Sequence, residues 1–133
     1  MKIVADTNIF ISSFFFGGNP RKIIERVING EDTLFICKEI LHETASVMAR
    51  SKFNVSNEYI TRFIRSIEEV AHDIPIKGTV HVCRDSEDDK ILECAFLANA
   101  ESIITGDNDL LTLEEFLGIK ILTASDYINL VTR

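Results

Sequence analysis

The sequence lacks any apolar run long enough to cross a membrane, and it contains few cysteines. A membrane-spanning helix needs about 20 consecutive apolar residues, so we expect no membrane association. The first residues carry one lysine and then a strand-like run, without a cleavable signal pattern, and we therefore expect a cytoplasmic protein. The three cysteines, Cys37, Cys83 and Cys94, are unclustered and odd in number. This favours buried thiols over disulfides or a zinc site.

Basic residues are also scarce: 14 lysines and arginines stand against 21 acids, which gives a net charge of −7. That balance argues against non-specific binding of nucleic acid through a basic surface. It does not exclude an enzyme that reaches phosphates through metal ions, because clustered carboxylates then supply much of the negative charge. A length of 133 residues suits one core, so we predict a single domain over residues 1–133.

Short apolar segments typical of buried strands alternate with segments of helical periodicity along the whole chain. The predicted strands are 3–5, 33–37, 80–82 as a short edge strand, a segment starting at 102, and 119–122. The predicted helices follow Asp6, cover 20–28 with Asn19 as cap, 38–50, about 56–72 with Ser56 as cap, a segment after 85–89, part of 110–116, and 124–131. This alternation predicts an α/β fold, a three-layer α/β/α sandwich with a mostly parallel central sheet.

Asp6 and Asp107 each follow a predicted buried strand, Asp107 after a short turn. The carboxyl ends of parallel strands meet at one edge of a sheet, where ligands bind. A carboxylate at that edge is partly desolvated and needs a cation, a metal or a set of donors. Both residues also suit ordinary roles, since Asp6 can cap the next helix and residues 106–109 have turn-forming chemistry.

A further candidate lies in the acidic run 85–89, which precedes a helix whose apolar face includes Ile91. Acids at a helix start complement the dipole, and Ser86 with Asp89 forms a capping-box-like pair. Asp88 is different, because it projects onto the side of Ile91, where a surface carboxylate has no reason to be. Asp89 projects off that side.

Glu43 is the fourth candidate, on the margin of the apolar stripe of the predicted helix 38–50. A glutamate at such a margin is most often solvated, so Glu43 alone indicates little. If it converges with Asp6, Asp88 and Asp107, the carboxylates repel one another unless a divalent cation neutralises them. Oxygen ligands suit Mg²⁺ or Mn²⁺ over zinc. Such ions activate water and hold phosphodiesters, so the chemistry implied is phosphodiester hydrolysis.

Four segments, 3–10, 39–43, 85–95 and 103–111, resemble in series the PIN-domain family. The resemblance is closest to small prokaryotic toxins of toxin–antitoxin pairs, of the VapC kind. It implies a Mg²⁺- or Mn²⁺-dependent endoribonuclease that acts on single-stranded RNA. It also implies a PIN-like α/β/α sandwich, a separate antitoxin protein as partner, and a homodimer.

Within this resemblance, Asp6 matches the first acid of the family's site, Glu43 the second and Asp107 the fourth. Asp88 matches the third, with Asp89 close enough to be confused with it. Positions that could assist or orient the site are Thr7, Asn8, Asp85, Thr105 and Asp109. Basic residues that could grip the substrate, although each equally suits a solvated surface, are Arg21, Lys22, Arg50, Lys52 and Arg84.

The sequence alone leaves three other functions open. A PIN-fold protein could bind a partner without catalysis, although all the acids are present. An Asp-nucleophile phosphatase or phosphoacceptor also places an aspartate after its first strand, but such phosphatases usually carry a second one two residues on, where this chain has Asn8. The third is a metal-dependent DNA nuclease of related fold, but such enzymes usually carry extra acids and added DNA-binding elements, which we do not find in this short sequence.

Overall fold

The computed structural model describes residues 1–133, which are built around a six-stranded sheet. The strands are β1 (Lys2–Ala5), β2 (Thr33–Ile36), β3 (Ala71–Asp73), β4 (Ser102–Ile104), β5 (Glu115–Phe116) and β6 (Ile119–Leu122). The helices are α1 (Thr7–Phe15), α2 (Gly18–Ile28), α3 (Lys38–Met48), α4 (Asn57–Val70), α5 (Ser86–Leu97), α6 (Asn108–Leu111) and α7 (Ala124–Val131), with a 3₁₀ turn at Ser51–Phe53. None of these helices combines the length and the apolar character needed to cross a membrane.

The strand order is β3-β2-β1-β4-β6-β5, and every neighbouring pair is parallel except β5 and β6. In the central strand β1, the successive residues Ile3, Val4 and Ala5 are all at most 1% exposed. Side chains alternate between the faces of a sheet, so burial of three in a row means that helices cover both faces. The predicted α/β/α sandwich with a mostly parallel sheet is therefore confirmed.

Two predicted edge elements were wrong. Helix α4 is capped by Ser56 as predicted, but it ends at Val70, and residues 71–73 form β3, which pairs in parallel with β2. Residues 80–82, predicted as a strand, form none. The backbone N–H groups of Val82 and Cys83 instead donate to Oδ1 of Asp89, with N···O distances of 2.9 and 2.8 Å. A carboxylate thus satisfies donors that a strand would have paired with a neighbour.

The segment 110–116, predicted to be partly helical, is helical only at its start, where α6 ends at Leu111, and its last two residues form β5 of a hairpin with β6. Phe116 pairs with Ile119 across a two-residue loop, Leu117-Gly118, in which both φ angles are positive (49° and 84°). Positive φ at both loop residues is the geometry of the tight hairpin turn that matches strand twist. The hairpin closes the sheet beyond β6.

The start of α2 also differs from the prediction, because the cap is Gly17 and not Asn19. Gly17 has φ +76°, and a Cβ placed on it would lie 3.2 Å from an Arg21 guanidinium nitrogen. Arg21 donates from Nε and Nη2 to the carbonyl oxygen of Ser13 at 3.1 and 3.0 Å, which ties α2 to the end of α1.

We expect Gly17→Ala to lower the free energy of unfolding by about 1–2 kcal/mol, because a side chain at positive φ is strained. The added methyl group also crowds the Arg21 guanidinium. Urea unfolding measures the change. Gly106→Ala is the matched control, since Gly106 lacks positive φ and a Cβ there meets nothing within 4 Å. Equal losses in the two variants would contradict this account.

Candidate metal centre

A cavity of about 220 Å³ opens at the carboxyl edge of the sheet. It is lined by Asp6, Thr7, Asn8, Ile40, Glu43, Asp85, Glu87, Asp88, Ile91 and Asp107. Asp6 follows β1 and Asp107 follows the adjacent parallel strand β4, while α3 brings Glu43 and the first turn of α5 brings Asp88. The structure therefore brings the four acids singled out from the sequence to one place.

Thr105 connects the two strand-end acids. Ala5 and Ile104 are register partners, so the residues that follow them, Asp6 and Thr105, lie side by side. The buried Thr105 hydroxyl donates to Oδ2 of Asp6, and the Thr105 Oγ1 in turn accepts from the backbone N–H of Asp107 at 3.0 Å. This arrangement fixes the orientation of the Asp6 carboxylate toward the cavity.

Asp6 is also the N-cap of α1, because its Oδ1 accepts from the backbone N–H of Ile9 at 3.1 Å. The capping role and a role in the cavity are compatible, since each oxygen has more than one lone pair. Burial, aided by the charge of Asp107 and opposed by the hydrogen bonds from Thr105 and Ile9, raises the pKa of Asp6 to about 6. A nearby cation would relieve this penalty.

Asp88 is the acid of the cavity whose burial is least compensated by hydrogen bonds. It is 7% exposed, and its Oδ2 is buried without a hydrogen-bond partner. Burial, together with the neighbouring carboxylates of Asp107 and Asp85, raises its pKa to about 7. A buried carboxylate oxygen without a donor is costly unless a cation pairs with it.

Asp107 and Asp109 complete an oxygen cluster with Asp88. One carboxylate oxygen from each of the three lies within 4.8 Å of the others. Asp109 is exposed and ion-paired with Arg84 at 2.9 Å, whereas Asp107 caps α6 by accepting from the backbone N–H of Asp109 at 2.8 Å. Oxygen-only donors at this density suit a hard divalent cation such as Mg²⁺ or Mn²⁺.

Glu87, whose position in the sequence suits an ordinary helix-start acid, lies beside Glu43. Burial raises the pKa of Glu43, and the adjacent Glu87 carboxyl raises it further. Glu87 is in turn held by Lys90, with Nζ at 2.8 Å from Oε1. The signal that selected Asp88 also fits Glu87, because Glu87 precedes the buried Ile91 by one helical turn of four residues.

Asp89 is buried like Asp88 but does not line the cavity. Asp89 lies off the side of Ile91 that lines the cavity, but it is buried all the same, because residues 82–83 cover the side on which it lies. Hydrogen bonds from Cys83 and Val82 lower the pKa of Asp89 in spite of its burial. The predicted capping box was wrong: Asp85, not Ser86, caps α5 by accepting from the Glu87 backbone N–H.

The basic residues proposed to hold a substrate differ in their contacts and in their distance from the cavity. Arg21 is engaged with the end of α1, and Lys52 lies over the ring of Phe53 at 5.0 Å. Arg84 reaches the site only through Asp109. Arg50 lines a groove beside the cavity, whereas Lys22 lines neither.

Asp88→Asn tests directly whether the buried, ionised Asp88 carboxylate destabilises the fold. The native pKa of about 7 lies above the usual 3.8, so ionised Asp88 destabilises the fold above about pH 7, and the penalty disappears as the pH falls toward 4. In metal-free buffer at pH 8 we expect the variant to be more stable by on the order of 1–2 kcal/mol.

The gain should shrink toward pH 5, and differential scanning fluorimetry across this range measures it. Asp73→Asn, at an exposed strand-end acid outside the cavity, is the control and should show no such gain. A destabilised Asp88→Asn protein at pH 8 would contradict the crowding of the acids.

Residues 2–109 match the family model described as PIN domain. The uncharacterized protein MJ1680 of Methanocaldococcus jannaschii is 33% identical over 121 residues, which cover 86% of this chain and 76% of that protein.

Among solved structures, the fold is similar to a chain of the crystal structure of VapBC2 from Rickettsia felis bound to a DNA fragment from their promoter. The TM-score is 0.61 at 14% identity, and the match covers 91% of this chain and 97% of that one. At this identity the likeness concerns the fold. With most of its length matched by the family model, the chain belongs to the PIN domain family, whose members are generally nucleases and typically bind divalent metals.

Proposed function

We propose that the protein is a Mg²⁺- or Mn²⁺-dependent endoribonuclease that hydrolyses phosphodiester bonds of single-stranded RNA. The observation that carries this proposal is the convergence of Asp6, Glu43, Asp88 and Asp107 on one cavity at the carboxyl edge of the sheet. Family membership supports the nuclease class. It also weakens the phosphatase interpretation, in which a single strand-end aspartate would be the nucleophile.

In this proposal Asp6, Glu43 and Asp88 hold the main cation, and Asp107 assists. A bound Mg²⁺ or Mn²⁺ supplies Lewis acidity, which polarises a phosphodiester and makes water a stronger nucleophile at neutral pH. Thr105 orients Asp6 through its hydroxyl. Asp88 offers a buried oxygen that no protein donor occupies. In this proposal, hydrolysis needs no histidine or lysine as a general base.

The similarity in fold to a chain of VapBC2 supports a more specific biological role. We propose that the protein is the toxin of a type II toxin–antitoxin pair, with a separate antitoxin protein as partner, and that it forms a homodimer. Co-expression with the product of a neighbouring small gene tests the partnership. Co-purification and loss of nuclease activity support it, and full activity in the presence of that product argues against it.

Cleavage of an end-labelled single-stranded RNA tests the activity. We expect fragments with Mg²⁺ or Mn²⁺ and none with excess EDTA, with activity restored when Mn²⁺ is returned. A single-stranded DNA of the same sequence should resist. Cleavage of the DNA but not the RNA would favour the related DNA nuclease. Absence of cleavage of either strand by folded protein would favour a partner-binding role without catalysis.

A further inference from the structure

A second depression, of about 620 Å³, adjoins the acid cavity and shares Glu43 and Glu87 with it. Along α3 it is lined by Lys38, His42, Ser46 and Arg50, which follow one another at intervals of four residues, and by the acid Glu39 beside Lys38. Residues four apart lie on one face of a helix. We call this depression, between α3 and the start of α5, the α3–α5 groove.

The basic side chains of this groove are disposed along its length. Lys38 opens α3 and Arg50 lies just beyond its end. At a rise of 1.5 Å per residue, their Cα atoms are separated along the helix by about 18 Å. Lys90 of α5 also lines the groove, at the place where the groove meets the acid cavity.

Lys38 and Arg50 are both exposed, and neither takes part in an ion pair. The cations beside them are engaged, because Lys90 is paired with Glu87 and Arg84 with Asp109. In a chain with a net charge of −7, two unpaired cations on one face of a groove are positioned for an anionic ligand. A polyanion approaching the acid cavity needs such cations, because the cavity itself repels it.

We propose that the α3–α5 groove binds the sugar–phosphate backbone of the single strand on one side of the bond that is cleaved. Lys38 and Arg50 contact successive stretches of backbone, and Lys90 contacts it beside the cavity once its bond to Glu87 is exchanged for a phosphate. The polar Ser46 and His42 lie between the two unpaired cations and add hydrogen-bonding capacity. This inference rests on the proposed ribonuclease function, since it assigns that function's substrate a path.

The groove is tested by binding alone, separately from cleavage. A fluorescein-labelled single-stranded RNA is titrated with protein in metal-free buffer, and anisotropy is recorded between about 50 and 200 mM salt. The test variant is Lys38→Gln/Arg50→Gln. The matched control is Lys2→Gln/Lys120→Gln, which removes the same charge at the amino edge of the sheet, far from the groove.

We expect the groove variant to bind about tenfold more weakly than the parent at the lowest salt. Each lost phosphate contact on a single strand reduces the slope of log K against log salt by about 0.7, so the slope should fall by about 1.4. The control variant should keep the parent's slope. Equal losses in both variants, or no binding by the parent, would overturn the proposal. So would an oligoglutamate that competes as well as RNA, because it would make the groove a site for an acidic peptide.

The two proposals fail separately. If the groove variant alone loses RNA binding while the parent never cleaves RNA with Mn²⁺, the groove stands and the ribonuclease function falls. If the parent cleaves RNA and the groove variant binds and cleaves equally well, the ribonuclease stands and the groove assignment falls. Circular dichroism of each variant confirms that a loss does not come from unfolding.

Discussion

Asp6→Asn should abolish metal-dependent RNA cleavage while the protein remains folded. A bound cation contributes several kcal/mol of charge stabilisation to phosphoryl chemistry, and each 1.36 kcal/mol changes the rate tenfold, so we expect a loss of about 10³-fold. The fold should survive because asparagine caps helices as well as aspartate does. Its side-chain oxygen can still accept from the Ile9 backbone N–H.

Initial rates on labelled RNA at saturating Mn²⁺ measure the effect, with thermal unfolding as the check on folding. Asp73→Asn is the matched control, because Asp73 also ends a parallel strand but lies outside the cavity. The control should retain the parent's rate. If Asp6→Asn cleaves as fast as the parent, Asp6 is not part of the catalytic centre.

Glu93→Gln should cause the largest loss of stability. Glu93 is 2% exposed, and its carboxylate accepts the backbone N–H groups of Lys77, Gly78 and Thr79. These bonds lower the pKa of Glu93 in spite of its burial. A glutamine offers one acceptor and turns an NH₂ group toward backbone donors, which leaves part-buried donors unpaired beside a buried side chain at about 1–3 kcal/mol each. We therefore expect a loss of about 3–5 kcal/mol.

Urea unfolding at pH 7 measures this loss. Glu58→Gln is the control, because Glu58 is exposed and forms only a surface pair with Arg62, so its loss should cost under about 1 kcal/mol. The pH dependence has a definite sign: a carboxylate with a lowered pKa stabilises the fold above its ordinary pKa, and this is lost as the pH falls through the native value. If Glu93→Gln has nearly the same free energy of unfolding as the parent, Glu93 does not anchor the 77–79 loop.

Periodicity predicted the sheet and the placement of Asp88 because both follow from burial within one element. Continuous apolar runs such as residues 3–5 need cover on both faces, and only a parallel sheet between helices supplies it. Asp88 lies on the packed side of its own helix, so a helical projection suffices to find it.

The features that periodicity missed depend on another segment of the chain. Asp89 is buried because residues 82–83 fold over α5 and donate to it, and no periodicity within α5 encodes that loop. Strand β3 has only three residues at an edge, too few for a pattern. The pairing of Glu87 with Glu43 likewise depends on how α3 and α5 approach each other.

We propose that one divalent cation is bound jointly by Asp6, Glu43, Asp88 and Asp107, and a crystal soaked in Mn²⁺ tests this most directly. We predict an anomalous difference peak in the cavity, at bonding distance from carboxylate oxygens of Asp6 and Asp88, and its absence from an Asp6→Asn crystal soaked in the same way. A cavity without a peak at saturating Mn²⁺, or peaks only at other sites on the surface, would contradict the account.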